Sequence, residues 1–242
     1  MADGVGGGGS PGTVRPTTRF SKAVVFGDAD DDPVDAHDGV QLWDGGPYWA
    51  TTNIGAENPE DYGYYFWWGD TVGYRRKNNA WVASDGSSSN FSFGDANTPT
   101  YNKSIATLQS EGWVTADGVL APEHDAAHVH WGGSWRMPTD QELCDLNSKC
   151  DWTWTTKNGV NGFVVRGEGN YASASIFLPC AGYGIGTSLC SAISDGFYWS
   201  SVPFSDSDYS WRLYFHSSGR STSNVGYRYY GQSVRPLKGF TE

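Results

Sequence analysis

The 242-residue chain is 38% hydrophobic, 15% aromatic and carries a net charge of −11. Phosphate backbones need Lys and Arg, so this acidity makes the chain a poor general binder of nucleic acid. There is no apolar run of about 18 residues, so neither a transmembrane helix nor membrane insertion is expected.

The 12 Trp allow a core built from few large side chains, and the 32 Gly imply many turns and few long helices. Residues 1–20 are rich in Gly and Pro and lack both a basic and an apolar leader region. They read as a flexible linker or an excised junction, with the domain proper over 21–242. "DADDDPVDAHDG" (28–39) imitates a calcium loop. However, Pro33 stands where an EF-hand needs Gly, and Gly39 where it needs its bidentate Glu. It reads as an acidic solvated loop.

Two aromatic strands are expected over 47–55 and 62–70, and a long surface insertion with room for one hairpin over 72–104. "APEHDAAHVHWGG" (121–133) suits a short helix with Pro122 in its first turn. His124 and His128 would share a face of it, but no carboxylate is placed as a third ligand, so with His130 they read as hydrogen-bonded or exposed structural histidines beside tryptophans. Thr139 and Glu142 have capping-box spacing at the start of the next helix. Leu143, Leu146 and Cys150 then fall on its buried face. After Asp151 the pattern is β-like, with strands expected over 162–166, 175–180, 197–201, 210–215, 227–229 and 233–237. "GYGIGT" (182–187) lacks the Lys-Ser/Thr of a phosphate-binding loop and reads as a turn. Cys144, Cys150, Cys180 and Cys190 contain no C-x-x-C, and read as buried free thiols or one disulfide. Two modest helices followed by short twisted antiparallel strands define an α+β domain.

From 209 to 237 the composition divides. Trp211, Leu213 and Phe215 alternate like the buried face of a strand, which turns Arg212, Tyr214 and His216 outward together. The residues around them are Tyr, Ser, Gly, Arg and Asn, the vocabulary of a paratope. A sticky twisted hairpin whose aromatics pack on each other would have the same composition.

"WGGSWRMPTDQEL", "CDWTWTTKNGVNGFVVRG", "SIFLPCAGYG", "GFYWSS", "WRLYF" and "GQSVRPL" occur in that order. Across 47–237 this series resembles the C-type-lectin-fold variable proteins of diversity-generating retroelements, in the branch akin to formylglycine-generating enzymes. In that family a reverse transcriptase misreads template adenines and rewrites the 3′ end of the gene. The codons produced cannot encode Lys, Glu, Gln, Met or Trp. From 202 to 230 there is no Lys, Glu, Gln or Met, and Trp211 is the single Trp. The resemblance implies a framework of Trp199, Trp211, Leu213, Phe215, Arg228, Val234 and Arg235. It implies a solvent-facing variable set of Phe204, Asp206, Asp208, Tyr209, Ser210, Arg212, Tyr214, His216, Gly219, Arg220, Thr222, Asn224, Val225, Gly226, Tyr227, Tyr229 and Tyr230.

The function so implied is non-catalytic capture of a protein or glycan receptor on a cell surface, by a phage tail tip or a bacterial surface adhesin, with polyvalent display. An undiversified structural or adhesion module of the same fold is the alternative. The enzyme of this fold uses a reactive cysteine pair and copper late in the chain. Here nothing after Cys190 is cysteine, and Cys180 lies in the apolar "IFLPCAG", so no catalysis, cofactor or metal is expected. The Glu-Pro-Asn, Gln-Pro-Asp and Trp-Asn-Asp tripeptides of calcium-dependent sugar binders are also missing.

Overall fold

The computed structural model describes residues 37–239, which fall within one compact unit, Pro33–Glu242. The expected linker and most of the acidic loop lie outside the described residues. Strand β1 (Gly39–Gln41) pairs with β2 (Tyr48–Ala50), and a hairpin joins β3 (Tyr74–Lys77) to β4 (Ala80–Ala83). Three short helices follow, α1 (Ile105–Ser110), α2 (Ala126–Trp131) and α3 (Asp140–Lys149). Next come the meander β5 (Asp151–Lys157), β6 (Val160–Arg166) and β7 (Ser175–Pro179), and the hairpin β8 (Tyr183–Ile185) to β9 (Ser188–Cys190). The last large sheet is β10 (Asp195–Pro203), β11 (Tyr209–His216) and β12 (Gly219–Tyr227). Strand β13 (Leu237–Lys238) returns to pair with β2. The domain is strand-rich α+β, with small antiparallel sheets and few helices.

Local sequence explains the best-defined pieces. In the turn between β5 and β6, Asn158 and Gly159 both have positive φ (48° and 85°), as a two-residue hairpin turn requires. At α3 the Thr139 side chain accepts from the Glu142 amide, and the Glu142 carboxylate accepts from the Thr139 amide. Leu143, Leu146 and Cys150 are buried beneath it, as the spacing predicts.

Three apolar clusters fill the interior. The first joins α3 and the β5–β6–β7 sheet to β10 and β11 through Leu143, Phe163, Val165, Tyr198, Leu213 and Phe215. The second gathers Phe66, Trp68, Leu108, Met137, Trp199 and Val234. The third gathers Tyr65, Trp67, Tyr74, Trp81, Phe93 and Ala181.

That third cluster corrects one expectation. Residues 72–104 are no surface insertion, because Trp81, Phe93, Thr98 and Thr100 are buried and the one hairpin packs its aromatic face inward. Residues 62–70 form no regular strand. Tyr65 and Phe66 make only isolated bridges, to Tyr74 and Gln232, and the other backbone bonds of the segment run to scattered partners such as Arg228. The expected strand over 47–55 shrinks to Tyr48–Ala50. Residues 227–229 turn away after the first, and of 233–237 only Leu237 is in a strand. The helix expected over 121–133 splits in two, because Asp125 caps α2 by accepting from the amides of Ala127 and His128. All four cysteines are free thiols.

Candidate functional site

The β10–β11–β12 sheet positions the candidate residues. Cross-strand partners point to the same face. The register pairs Arg212 with Trp199 and Asn224, and Tyr214 with Phe197 and Ser221. One face therefore carries Phe197, Trp199, Ser210, Arg212, Tyr214, His216, Asn224 and Gly226. The opposite face carries Tyr198, Leu213 and Phe215 against the α3 core, and beyond them Tyr209, Trp211, Val225 and Tyr227. A register shift in β12 between the partners of Arg212 and Tyr214 puts Arg220 and Thr222 beside α3. There Arg220 Nε donates to Asn147 (2.5 Å), and Cys144 Sγ lies 3.2 Å from the Thr222 hydroxyl.

The expected site residues thus do not share one surface, because alternation along two paired strands sends them both ways. Further corrections concern burial. Ser210 is fully buried, its hydroxyl accepting from Arg228 Nε at 3.2 Å. Gly226 is also buried, since a Cβ there would sit 2.6 Å from Gln232 Nε2 and 2.8 Å from Arg212 Nη1. Trp211 is half-buried rather than core. It lies where β11 runs past the α3 core, its ring edge-on to Phe204 at 4.8 Å. The rest of the expected framework is buried: Trp199, Leu213, Phe215, Arg228, Val234 and Arg235. His216, Asn224, Val225, Tyr227, Tyr229 and Tyr230 are half-exposed, Asp206 and Arg220 are exposed, and Gly219 opens β12 opposite His216.

Stacked and edge-on rings link the two faces. On one side Tyr209 lies 4.4 Å from Tyr227, and Tyr229 lies 5.0 Å from both Tyr227 and Tyr101. Tyr230 joins these to Tyr183 at 4.8 Å, and Tyr183 joins Phe197 at 5.2 Å. Phe197 stacks on Tyr214 at 5.0 Å, and Tyr214 lies 5.5 Å from His216. Tyr101, Tyr183, Phe197 and Asp195 belong to this belt, yet sequence reasoning missed them because they come from other parts of the chain. Asp195 accepts from the Tyr214 hydroxyl at 2.9 Å.

Electrostatics keep the belt a set of hydrogen-bond donors. Burial, with nearby phenols adding to it, pushes the Tyr229 hydroxyl up to about 12. The hydrogen bond with Tyr227, then partial burial, raises Tyr209. Burial lowers Arg212 to about 10, against the opposing pull of the phenols of Tyr230, Tyr183 and Tyr214. Tyr209 and Tyr229 are therefore neutral and Arg212 charged at physiological pH.

Arg228 holds the belt to the body of the protein. Its guanidinium donates to the carbonyls of Tyr209 (2.9 Å), Thr100 (3.0 Å) and Lys103 (2.7 Å), and lies 5.1 Å from the Trp68 ring. Its backbone amide donates to the carbonyl of Asp208 in the loop before β11.

Two of the three histidines singled out in the sequence are held by packing or a hydrogen bond. His124 stacks on Trp113 at 3.9 Å, and His130 bonds the Thr71 carbonyl at 3.0 Å. Burial pushes the thiols of Cys150 and Cys180 up to about 12, which makes them poor nucleophiles. Among the described residues no helix is long and apolar enough to cross a membrane. Compared with family models, curated proteins and solved structures, the chain matches none.

Proposed function

We propose that the chain is a non-catalytic ligand-binding protein of C-type lectin fold, whose surface near the C-terminus is diversified by a retroelement. One observation carries this reading. Tyr209, Arg212, Tyr214, His216, Asn224 and Tyr227 on paired strands, with Tyr229 and Tyr230 in the turn after them, form a half-exposed belt, and residues of the framework motifs lie buried beneath it. Tyr gives large contact area at small entropic cost, and Arg gives forked donors. Paired strands let such side chains change while the backbone stays fixed.

The ligand class is a protein or glycan receptor on a cell surface, and the setting is a phage tail tip or a bacterial surface. Modest affinity at one site would be raised by polyvalent display. The second reading, a fixed structural or adhesion module of the same fold, is favoured by the ring-on-ring contacts that pack the belt tyrosines on one another.

Sequencing this gene across its source population, codon by codon, separates the two. Diversification predicts substitutions concentrated at adenine-derived codons between 202 and 230. Among the half-exposed positions above they should be frequent, and at buried Ser210 and Gly226 rare. Substitutions spread evenly along the gene would leave the fixed module standing.

A further inference from the structure

Three arginines are at least half-buried near the end of the chain, and they are not served alike. Arg235 donates from all three nitrogens, to Asn53 Oδ1 (2.9 Å), the Ala50 carbonyl (3.1 Å) and the Phe177 carbonyl (2.9 Å). Arg228 is similarly engaged at every nitrogen. Arg212 donates only through Nε, to Asn224 Oδ1 at 2.7 Å, and its two terminal nitrogens have no partner among the described residues. It makes no ion pair there either. The carboxylate on its own face, Asp195, is held by Tyr214 and Ser194.

Beside it lies a group that is both buried and unmet. Gln232 is fully buried, and neither its amide oxygen nor its amide nitrogen has a hydrogen-bond partner. Gln232 Nε2 and Arg212 Nη1 converge on the same place, the missing Cβ of Gly226. Buried polar groups are normally paired, and leaving one unpaired is costly. A guanidinium and a carboxamide with spare capacity at one point are complementary to a carboxylate, which takes forked donors from Arg and a further donor from an amide. The phenols of Tyr183, Tyr214 and Tyr230 lie around the guanidinium, and the Phe197 ring centroid is 4.6 Å from it.

We infer that Arg212 and Gln232, meeting over Gly226 beneath the tyrosine belt, form a subsite for a carboxylate on the ligand. The inference rests on reading the belt as a ligand face and adds the chemical class that one point of it accepts. Gln232 lies outside 202–230, in the "GQSVRPL" motif, and supplies a neutral amide whatever occupies the face. Position 212 supplies the charge, so its side chain sets whether the subsite takes an anion. The carboxylate can come from an acidic sugar or from a peptide terminus.

Calorimetric titration of the full chain at fixed ionic strength tests this, with two probes and their uncharged counterparts. The probes are N-acetylneuraminic acid against its methyl ester, and N-acetyl-alanyl-alanine against its amide. Saturable millimolar binding of at least one free acid is expected, with its uncharged counterpart silent. Binding of the sugar alone assigns a glycan source, of the peptide alone a protein terminus. Arg212→Gln should weaken binding at least tenfold, and Arg166→Gln, on an exposed arginine outside the belt, should not. Gln232→Met should also weaken binding, yet the variant should melt no lower than the parent, because it removes an unpaired buried amide. No saturable binding of either acid, undiminished binding in Arg212→Gln, or a marked fall in Gln232→Met melting would each overturn the inference. If neither acid binds while population variation concentrates at 202–230, only the subsite falls. If an acid binds while variation is even, the protein is a carboxylate-binding module of fixed specificity.

Discussion

Arg228 and His216 lie in the same segment and illustrate how differently residues there are used. Arg228 is buried, makes no ion pair among the described residues, and ties three stretches of chain together through backbone carbonyls. Replacing it by Leu leaves the carbonyls of Thr100 and Lys103 unpaired in the interior, and should cost about 3–5 kcal/mol in urea unfolding. His216 packs loosely on Tyr214 at a strand end, with Ser218 as its hydrogen-bond partner. His216→Ala should change stability by only about 0.5 kcal/mol. Comparable losses in the two variants would mean that the belt, not the layer under it, holds the fold. The alternation of 211–215 made the inward Leu213 and Phe215 legible in the sequence. It could not show that Trp211 lies beyond the helix that covers them, because coverage depends on where α3 ends.

At the scale of elements, sequence reading succeeded where the signal was local. The α3 cap, its buried face and the central strands have their causes within a few residues. Strand β12, "GRSTSNVGY", has no apolar alternation and went unread. It is a strand because β11 supplies its hydrogen bonds, and the register shift between the two breaks what periodicity it has. Gln232 was unreadable as part of a site for a similar reason, since only the fold brings it to Arg212. The β9–β10 turn adds a strained element. Ile193 has φ of +68° and is 62% exposed, a left-handed conformation that a β-branched residue adopts only under constraint. Its amide donates to the Cys180 carbonyl and its carbonyl accepts from Asn161, and these contacts hold it there. Asn tolerates this conformation and would keep both backbone bonds, so Ile193→Asn should stabilise the protein by about 1 kcal/mol. Thermal and urea unfolding would read the gain, and a loss instead would show that the exposed side chain supports the turn.

For the molecule as a whole, pH acts through the buried acids Asp70 and Asp125 as well as through the net charge of −11. Asp70 lies in the turn that leads from the aromatic segment to β3, and its carboxyl accepts from the amides of Val72 and Gly73, each at 3.0 Å. Burial outweighs these bonds and raises it from 3.8 to about 7. Well below pH 3.8 the group is protonated in both folded and unfolded chains and contributes nothing. As pH rises towards 7 the unfolded chain releases the proton and the folded one keeps it, so the folded state loses about 1.4 kcal/mol per pH unit. Above 7 both forms are ionised and the loss is complete. General repulsion among surface carboxylates acts in the same direction, but it is screened by salt, whereas a buried group is screened much less. Asp70→Asn removes the titration and leaves the surface repulsion nearly unchanged. The stability difference between variant and parent should therefore shift in the variant's favour by a few kcal/mol between pH 4 and pH 8, and should do so in high salt too. Urea midpoints at both pH values, with and without salt, give that difference. A difference that stays constant with pH would mean that Asp70 does not carry this loss of stability at rising pH.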